Sequence, residues 1–367
     1  MRTSFRSLAG LSRRQMLALA GAVVALPTGA VAADPPFALV TPQSAASLFG
    51  LAATPMGVYA LRSAQRSVTR APQPMPVVHT EGTLPHEGIY DQSAEAKRDW
   101  QAALDASLGA RLNGDRAFAA KAAEFIAAWL AVYRPSLNPI DETDFDRMLV
   151  AFDLLPEADR AGIADGYRAF CRAMATGYLD AMPKLRGGTA TNNWQSHRVK
   201  LATLTAFACG DAGLVERARA AFAKQLADNI RSDGTTLDFA ERDALHYVVY
   251  DLEPLAVAAL AASTHGQDWY RDGGGALARA LTWLAPFAAG AKAHEEFVRS
   301  TVEFDRKRAA AGVAGFAGPW AREGAEYLYA LAGRLDPQFI PLAAELTPGF
   351  TGTRRPQAPW LHLTLPA

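Results

Sequence analysis

From about residue 91 onward, apolar side chains recur every three or four positions in successive segments, as in Phe118 to Tyr133, Leu201 to Phe207, Leu214 to Ile230 and Leu245 to Ala262. That period predicts helices with one buried face. Breakers separate them: Pro135 and Pro139, Pro156, Pro183 with Gly187 and Gly188, Gly210, Gly234, and the run Gly273 to Gly275. Strand signals are short and scattered, the clearest being Thr235 to Phe239. The pattern predicts an all-α domain over 91–367, made of paired antiparallel helices with short turns. No sequence repeat marks a solenoid.

Residues 33–90 differ. They are rich in proline and carry one short helical pattern, Ser44 to Ala53, ending ahead of Pro55. This stretch is expected to be an N-terminal extension packed on the helical body beside a cleft. Residues 1–32 place Arg2, Arg6, Arg13 and Arg14 ahead of an apolar run from Met16 to Leu26 and close on Ala30-Val31-Ala32. Charged, apolar and small-residue regions in that order are an export signal. Ser12-Arg13-Arg14-Gln15-Met16-Leu17 resembles the twin-arginine motif, so the expected location is the bacterial periplasm or the exterior. The apolar run is too short to span a bilayer, which takes about 20 residues, and no membrane insertion is expected once the signal is removed.

With 50% apolar and 20% charged residues in 367, and only two cysteines, the chain is neither disordered nor a disulfide scaffold. Cys171 and Cys209 sit in apolar helical settings and are expected to be buried thiols, with a bridge between them the alternative that an oxidising compartment permits. Basic and acidic residues balance at 37 each, but removing residues 1–32 takes away four arginines and no acid, leaving a mature charge of −4. A nucleic-acid partner is not expected. Any anionic ligand must be held by a local cluster of positive charge.

Two clusters stand out. In Thr191-Asn192-Asn193-Trp194-Gln195-Ser196-His197-Arg198-Val199-Lys200, a Gly-Gly turn opens a helix that Thr191, Asn192 or Asn193 can cap. Asn193 and His197, four apart, lie one above the other, and the helix N-terminus favours negative charge. Farther on, Arg242, His246 and Tyr250 recur at intervals of four in a segment otherwise bound for the core. They are expected to share one polar face and meet each other, a ligand or a cleft. Alternatively Arg242 pairs with a local acid and the tyrosines are packed.

Together, Asn192-Asn193 followed by His197, then Arg242 and Tyr250 ahead of Leu252-Glu253-Pro254-Leu255, resemble the alginate lyase family, as does the turn from Pro135 to Thr143. The resemblance spans roughly residues 75 to 345 and is closest to exported enzymes that include β-1,4-glucuronan and mannuronate-specific lyases. It implies an (α/α) toroid and β-elimination on a polyuronate. By position, Asn193 and His197 would engage the substrate carboxylate, Arg242 would support it and Tyr250 would transfer protons. Asn138, Asn192, Trp194, Arg198, His246 and Tyr247 are the candidate substrate contacts, with Lys200 a further cation. This chain departs from the family pattern in placing Trp194 directly after Asn193, and in an Arg-to-Tyr interval longer by about one residue.

The residue types suit the reaction. Removing the C5 proton of a uronate requires neutralising its carboxylate, and expelling the C4 oxygen requires a proton. Tyr250 beside Arg242 and His246 would ionise more readily than a free tyrosine. Tyr250 alone, or His197 as base with Tyr250 as acid, can meet the need. Neither a cofactor nor a metal is implied, and a monomer or weak oligomer is expected. A toroid glycoside hydrolase and a non-catalytic polyuronate-binding protein are the alternatives. For a hydrolase, Asp141-Glu142, Glu295-Glu296 and Asp238 with Glu241 are the acid pairs, but neighbours on a helix do not face one another. Asp141 and Glu142 are expected to cap the helix after Pro139, and His79, His86, His265 and His362 to lie at the surface.

Overall fold

The computed structural model describes residues 36–349 and 354–364; the expected export signal, residues 1–32, lies outside them. Among the described residues there is no strand, only isolated bridges such as Ile230 with Thr236. The helices are α1 (Pro42–Ser47), α2 (Pro55–Ser67), α3 (Tyr90–Asn113), α4 (Arg116–Val132), α5 (Asp146–Leu154), α6 (Glu157–Arg160), α7 (Ala164–Ala181) and α8 (Asn193–Cys209). There follow α9 (Ala212–Asn229), α10 (Leu237–Arg242), α11 (Leu245–Thr264), α12 (Asp272–Ala288), α13 (Glu303–Ala310), α14 (Glu326–Leu335), α15 (Ile340–Leu346) and α16 (Pro359–Thr364).

Burial sorts them into two layers. α8 is buried at every position but Trp194, and α11 at most of its length, as helices surrounded on all sides must be. α9 instead buries a single stripe: Leu214, Ala218, Phe222, Gln225, Leu226 and Asn229. Packing runs α3 to α5, α8 to α11 and α11 to α14 around the inside, while α4, α7, α9, α12 and α15 return the chain outside. The result is an (α/α) toroid. α11 is long and apolar enough to cross a membrane by composition, but it is this buried inner helix. Cys171 and Cys209 are free and buried.

Three buried carboxylates stitch residues 36–90 onto this body. Asp153 of α5 accepts the main-chain N–H groups of Ala38, Leu39 and Val40 at 2.8–3.1 Å. Asp99 of α3 accepts from Arg70, Gln73 and Trp129. Asp141 accepts from Thr80 and Glu81 N–H and pairs with His79. Asp141 is therefore no helix cap. Nor is Glu142, whose carboxylate accepts from the Tyr133 and Tyr178 hydroxyls and the Ser136 N–H. These backbone and hydroxyl donors outcompete the orphan N–H groups of the short helix that follows.

Proline usage explains a helix unforeseen in the sequence. Pro55 starts α2 rather than stopping its predecessor: it occupies the first turn, where no N–H is needed, and Thr54 caps the helix by accepting from Gly57 N–H at 3.0 Å. His265 is likewise not a surface residue. It stacks between Phe37 and Phe207 at centroid distances of 4.0 and 3.9 Å and meets the carbonyls of Phe37 and Ala261. His362 is half-buried, and burial lowers its pKa to about 4. His79 and His86 stay accessible, paired with Asp141 and Asp91.

Candidate active site

The turn through Gly187 leads into α8, where Asn192 accepts the Trp194 N–H at 3.1 Å as N-cap. Capping is thus the work of Asn192, whose side chain is spent on it. Asn193, His197 and Lys200 then fall on one face at intervals of four and three. Asn193 is buried and donates its main-chain N–H to Asp238 Oδ2 at 2.7 Å and its Nδ2 to Asp238 Oδ1 at 2.6 Å.

Asp238 belongs to α10, which Thr236 caps and Arg242 ends. Asp243 follows in the left-handed region at φ 51°, held by Arg299 at 2.8 Å. That break separates α10 from α11, so Arg242 shares no helix face with His246 and Tyr250, contrary to the spacing argument. Arg242 is instead clamped between two fully buried acids: Nη1 donates to Asp305, and Nε lies 3.5 Å from Asp238. Its guanidinium lies 3.9 Å from the centre of the Tyr247 ring. Asp238 therefore carries Asn193 on one side and Arg242 on the other. Burial raises the pKa of Asp238, and also that of Asp251 behind it, which Ser196 and Asn229 bind at 2.6 Å each.

His197 and Tyr250 come together at a cavity of about 190 Å³ in the middle of the toroid, their rings 4.3 Å apart. The inner helices α3, α5, α8, α11 and α14 all contribute to its wall, three of them from their first two turns. The Thr143 hydroxyl meets His197 Nδ1 at 2.7 Å and also receives Lys200 Nζ at 3.0 Å, while Lys200 donates to Asp146 at 2.8 Å. His197 Nε2 is buried without a hydrogen-bond partner among the described residues. Burial, with Lys200 adding to it, drives the imidazole well below its ordinary pKa, so it is neutral.

Tyr250 is also unlike the sequence expectation. Its phenol is pushed up, first by burial and then by Asp144, Tyr247 and Glu253, with Arg308 opposing. Positive charge expected from Arg242 is absorbed by Asp238 and Asp305. Glu253, one turn on, is raised to about 8 by burial and by Asp146 and Asp144, against the pull of Lys200.

Of the other predicted contacts, Tyr247 joins the two clusters: Arg242 covers its ring and its centroid lies 6.2 Å from that of Tyr250. His246 is exposed and edge-on to Tyr247. Trp194 is half-buried with Arg198 above it at 5.7 Å. Arg198 is buried and donates to the Thr189 carbonyl at 2.5 Å, bracing the turn rather than facing the cavity, since it sits about 100° round the helix from His197. Asn138 closes its own turn by accepting from Ile140 and Asp141 N–H.

Sequence reasoning missed Thr143, Glu253 and Arg308. Arg308, on α13, donates to the Tyr247 hydroxyl at 3.1 Å and lies over Phe304 and Phe316; among the described residues it has no carboxylate partner. In the sequence it is one member of the basic run Arg306-Lys307-Arg308. No group of three or more His, Cys, Asp or Glu among the described residues is arranged to hold a metal. The wall thus offers a neutral imidazole and a neutral phenol, with the Asn193 amide and the Arg242 and Arg308 guanidinium groups in the surrounding shell, a set suited to proton transfer beside a stabilised anion.

Comparison with known proteins agrees with this chemistry. The family model "Alginate lyase" matches residues 55–294. An alginate lyase from Bacteroides ovatus superposes with a TM-score of 0.64 at 18% identity, covering 90% of this chain and 98% of that one. Alginate lyase A1-III from Sphingomonas species A1 gives 0.56 at 16% identity, covering 89% and 97%. A histidine-to-alanine variant of that enzyme complexed with a tetrasaccharide gives 0.51 at 17%, covering 80% and 89%. No curated protein matches the sequence.

Proposed function

The chain belongs to the alginate lyase family and is a polysaccharide lyase, and from that premise we propose that it cleaves a β-1,4-linked polyuronate, either glucuronan or mannuronate-type alginate. The observation that carries the reading is the meeting of His197 and Tyr250 at the central cavity, with Asn193 and Arg242 joined through Asp238 beside it. A relative complexed with a tetrasaccharide supports an oligosaccharide ligand for this chain.

In the proposed reaction Tyr250, a neutral phenol at rest, first loses its proton to solvent, and the phenolate so formed takes the C5 proton. The C5–H electron pair becomes the C4=C5 double bond, and the C4–O bond breaks with its pair on oxygen. That oxygen takes the proton back from Tyr250, which returns to phenolate. In glucuronate and mannuronate the C5 proton and C4 oxygen lie on the same side of the ring, so one group can serve both. Asn193, Arg242 and His197 would stabilise the charge that develops on the carboxylate. The two sugars differ only at C2, remote from the bond broken. Residues 1–32 would export the enzyme to meet a polymer too large to enter the cell.

Incubation with glucuronan, polymannuronate and polyguluronate, followed by ultraviolet absorbance of the new double bond, tests the reading. Absorbance with glucuronan or polymannuronate is expected. New reducing ends without absorbance, or no cleavage of any polymer by folded protein, would overturn it.

A further inference from the structure

Around His197 the hydrogen-bonding groups fall in a fixed order. Lys200 Nζ can only donate, and it does so to three acceptors at once: Asp146 Oδ2 at 2.8 Å, the Thr143 carbonyl at 2.7 Å and the Thr143 hydroxyl at 3.0 Å. The Thr143 oxygen therefore already serves as an acceptor for a cation. Its single proton has one acceptor within hydrogen-bonding reach among the described residues, His197 Nδ1 at 2.7 Å. The opposite arrangement would turn two donors, one of them charged, onto one oxygen and leave the hydroxyl proton unused, a costly choice at a largely enclosed site.

The other edge of the ring agrees. Pro254 interrupts α11 and has no N–H to give the Tyr250 carbonyl four residues back. His197 Nε2 has no hydrogen-bond partner among the described residues, so nothing at that edge competes for a proton on Nε2. The charged and titratable groups around the ring are Lys200 on its own helix, Asp144, Asp146 and Arg147 on the α5 side, Tyr250 and Glu253 on α11, and Tyr327 on α14.

We propose that Lys200 and Thr143 are positioning residues that lock His197 in the tautomer protonated on Nε2. His197 is then a hydrogen-bond donor and has no lone pair for the C5 proton. Both proton transfers fall to Tyr250. The inference rests on the lyase reading for its catalytic meaning, but the tautomer itself is independent of activity.

Nitrogen-15 NMR of the imidazole in the full mature chain reads it directly. The expected spectrum has a protonated Nε2 and a bare Nδ1; a bare Nε2 overturns the proposal, whether or not any polymer is cleaved. Thr143→Val should mix the tautomers and cost roughly ten- to a hundredfold in kcat/KM, while Thr143→Ser should restore both. The pH profile gives a second readout. With Tyr250 as base, log kcat/KM climbs with pH through neutrality; with His197 as base it is flat there. A flat profile in an enzyme that passes the ultraviolet assay sinks this assignment and leaves the lyase reading standing.

Discussion

Asp238 accepts both the main-chain N–H and the side-chain amide of Asn193, at 2.7 and 2.6 Å, from a position with no solvent exposure. The same carboxylate lies 3.5 Å from Arg242 Nε. One acid therefore sets the first turn of α8 against the last turn of α10. Asp238→Asn keeps the volume but turns an amide donor toward donors already in place. A loss in kcat/KM of about a hundredfold is expected from misplacement of Asn193 and Arg242. Steady-state kinetics on variant protein with native circular dichroism is the check, and a near-normal kcat/KM would show that the clamp does not serve the site.

Tyr250→Phe removes one oxygen and no charge. Turnover should fall by roughly 10²- to 10⁴-fold or more, while calorimetric binding of a polyuronate oligomer stays close to native. Arg242→Ala should weaken both, because it strips a cation from the site and leaves Asp238 and Asp305 buried without their partner. A Tyr250→Phe enzyme of near-normal rate removes Tyr250 from the reaction.

The helical class, the α8 and α11 segments and the Asn/His and Arg/Tyr clusters were legible because they rest on local periodicity and short motifs. What was not legible depended on chain reversals. Spacing put Arg242 on one face with Tyr250, but Asp243 in a left-handed conformation ends α10 between them. The positive charge assigned to Tyr250 is cancelled by Asp305, 63 residues from Arg242 in the chain. Thr143, which orients His197, is 54 residues away on another turn of the toroid. Local pattern carries no information about such partners. Lys200 was visible as a cation, yet its task depends on Asp146 and Thr143, which only the packed helices bring to it.

Arg308 is the guanidinium near Tyr250 that no carboxylate neutralises among the described residues, and it is half-buried against aromatic rings. A polymer bearing one negative charge per sugar should use it. Arg308→Ala is expected to weaken binding by about 1.5–3 kcal/mol, the worth of a charge-assisted hydrogen bond, appearing as a KM raised roughly tenfold or more with a smaller change in kcat. KM of the native enzyme should also rise with ionic strength more steeply than that of the variant. Equal salt slopes for the two proteins would show that Arg308 does not meet the substrate's charge.

Glu253 lines the same cavity with its carboxyl pushed up to about 8, chiefly by burial. In the unfolded chain it ionises near its ordinary pKa of 4.5. Between those values the folded protein holds a proton that the unfolded chain has released, so stability falls as pH rises through the interval. Glu253→Gln carries no such proton. The variant and native enzyme should melt alike near pH 5, where Glu253 is neutral when folded, and the variant should gain in Tm relative to the native enzyme by pH 9. Thermal unfolding at the two pH values is the measurement, and a Tm difference independent of pH would mean that Glu253 is ionised in the folded state. A neutral Glu253 matters to the site because an ionised one, on the turn after Tyr250, would oppose both the phenolate and the arriving uronate.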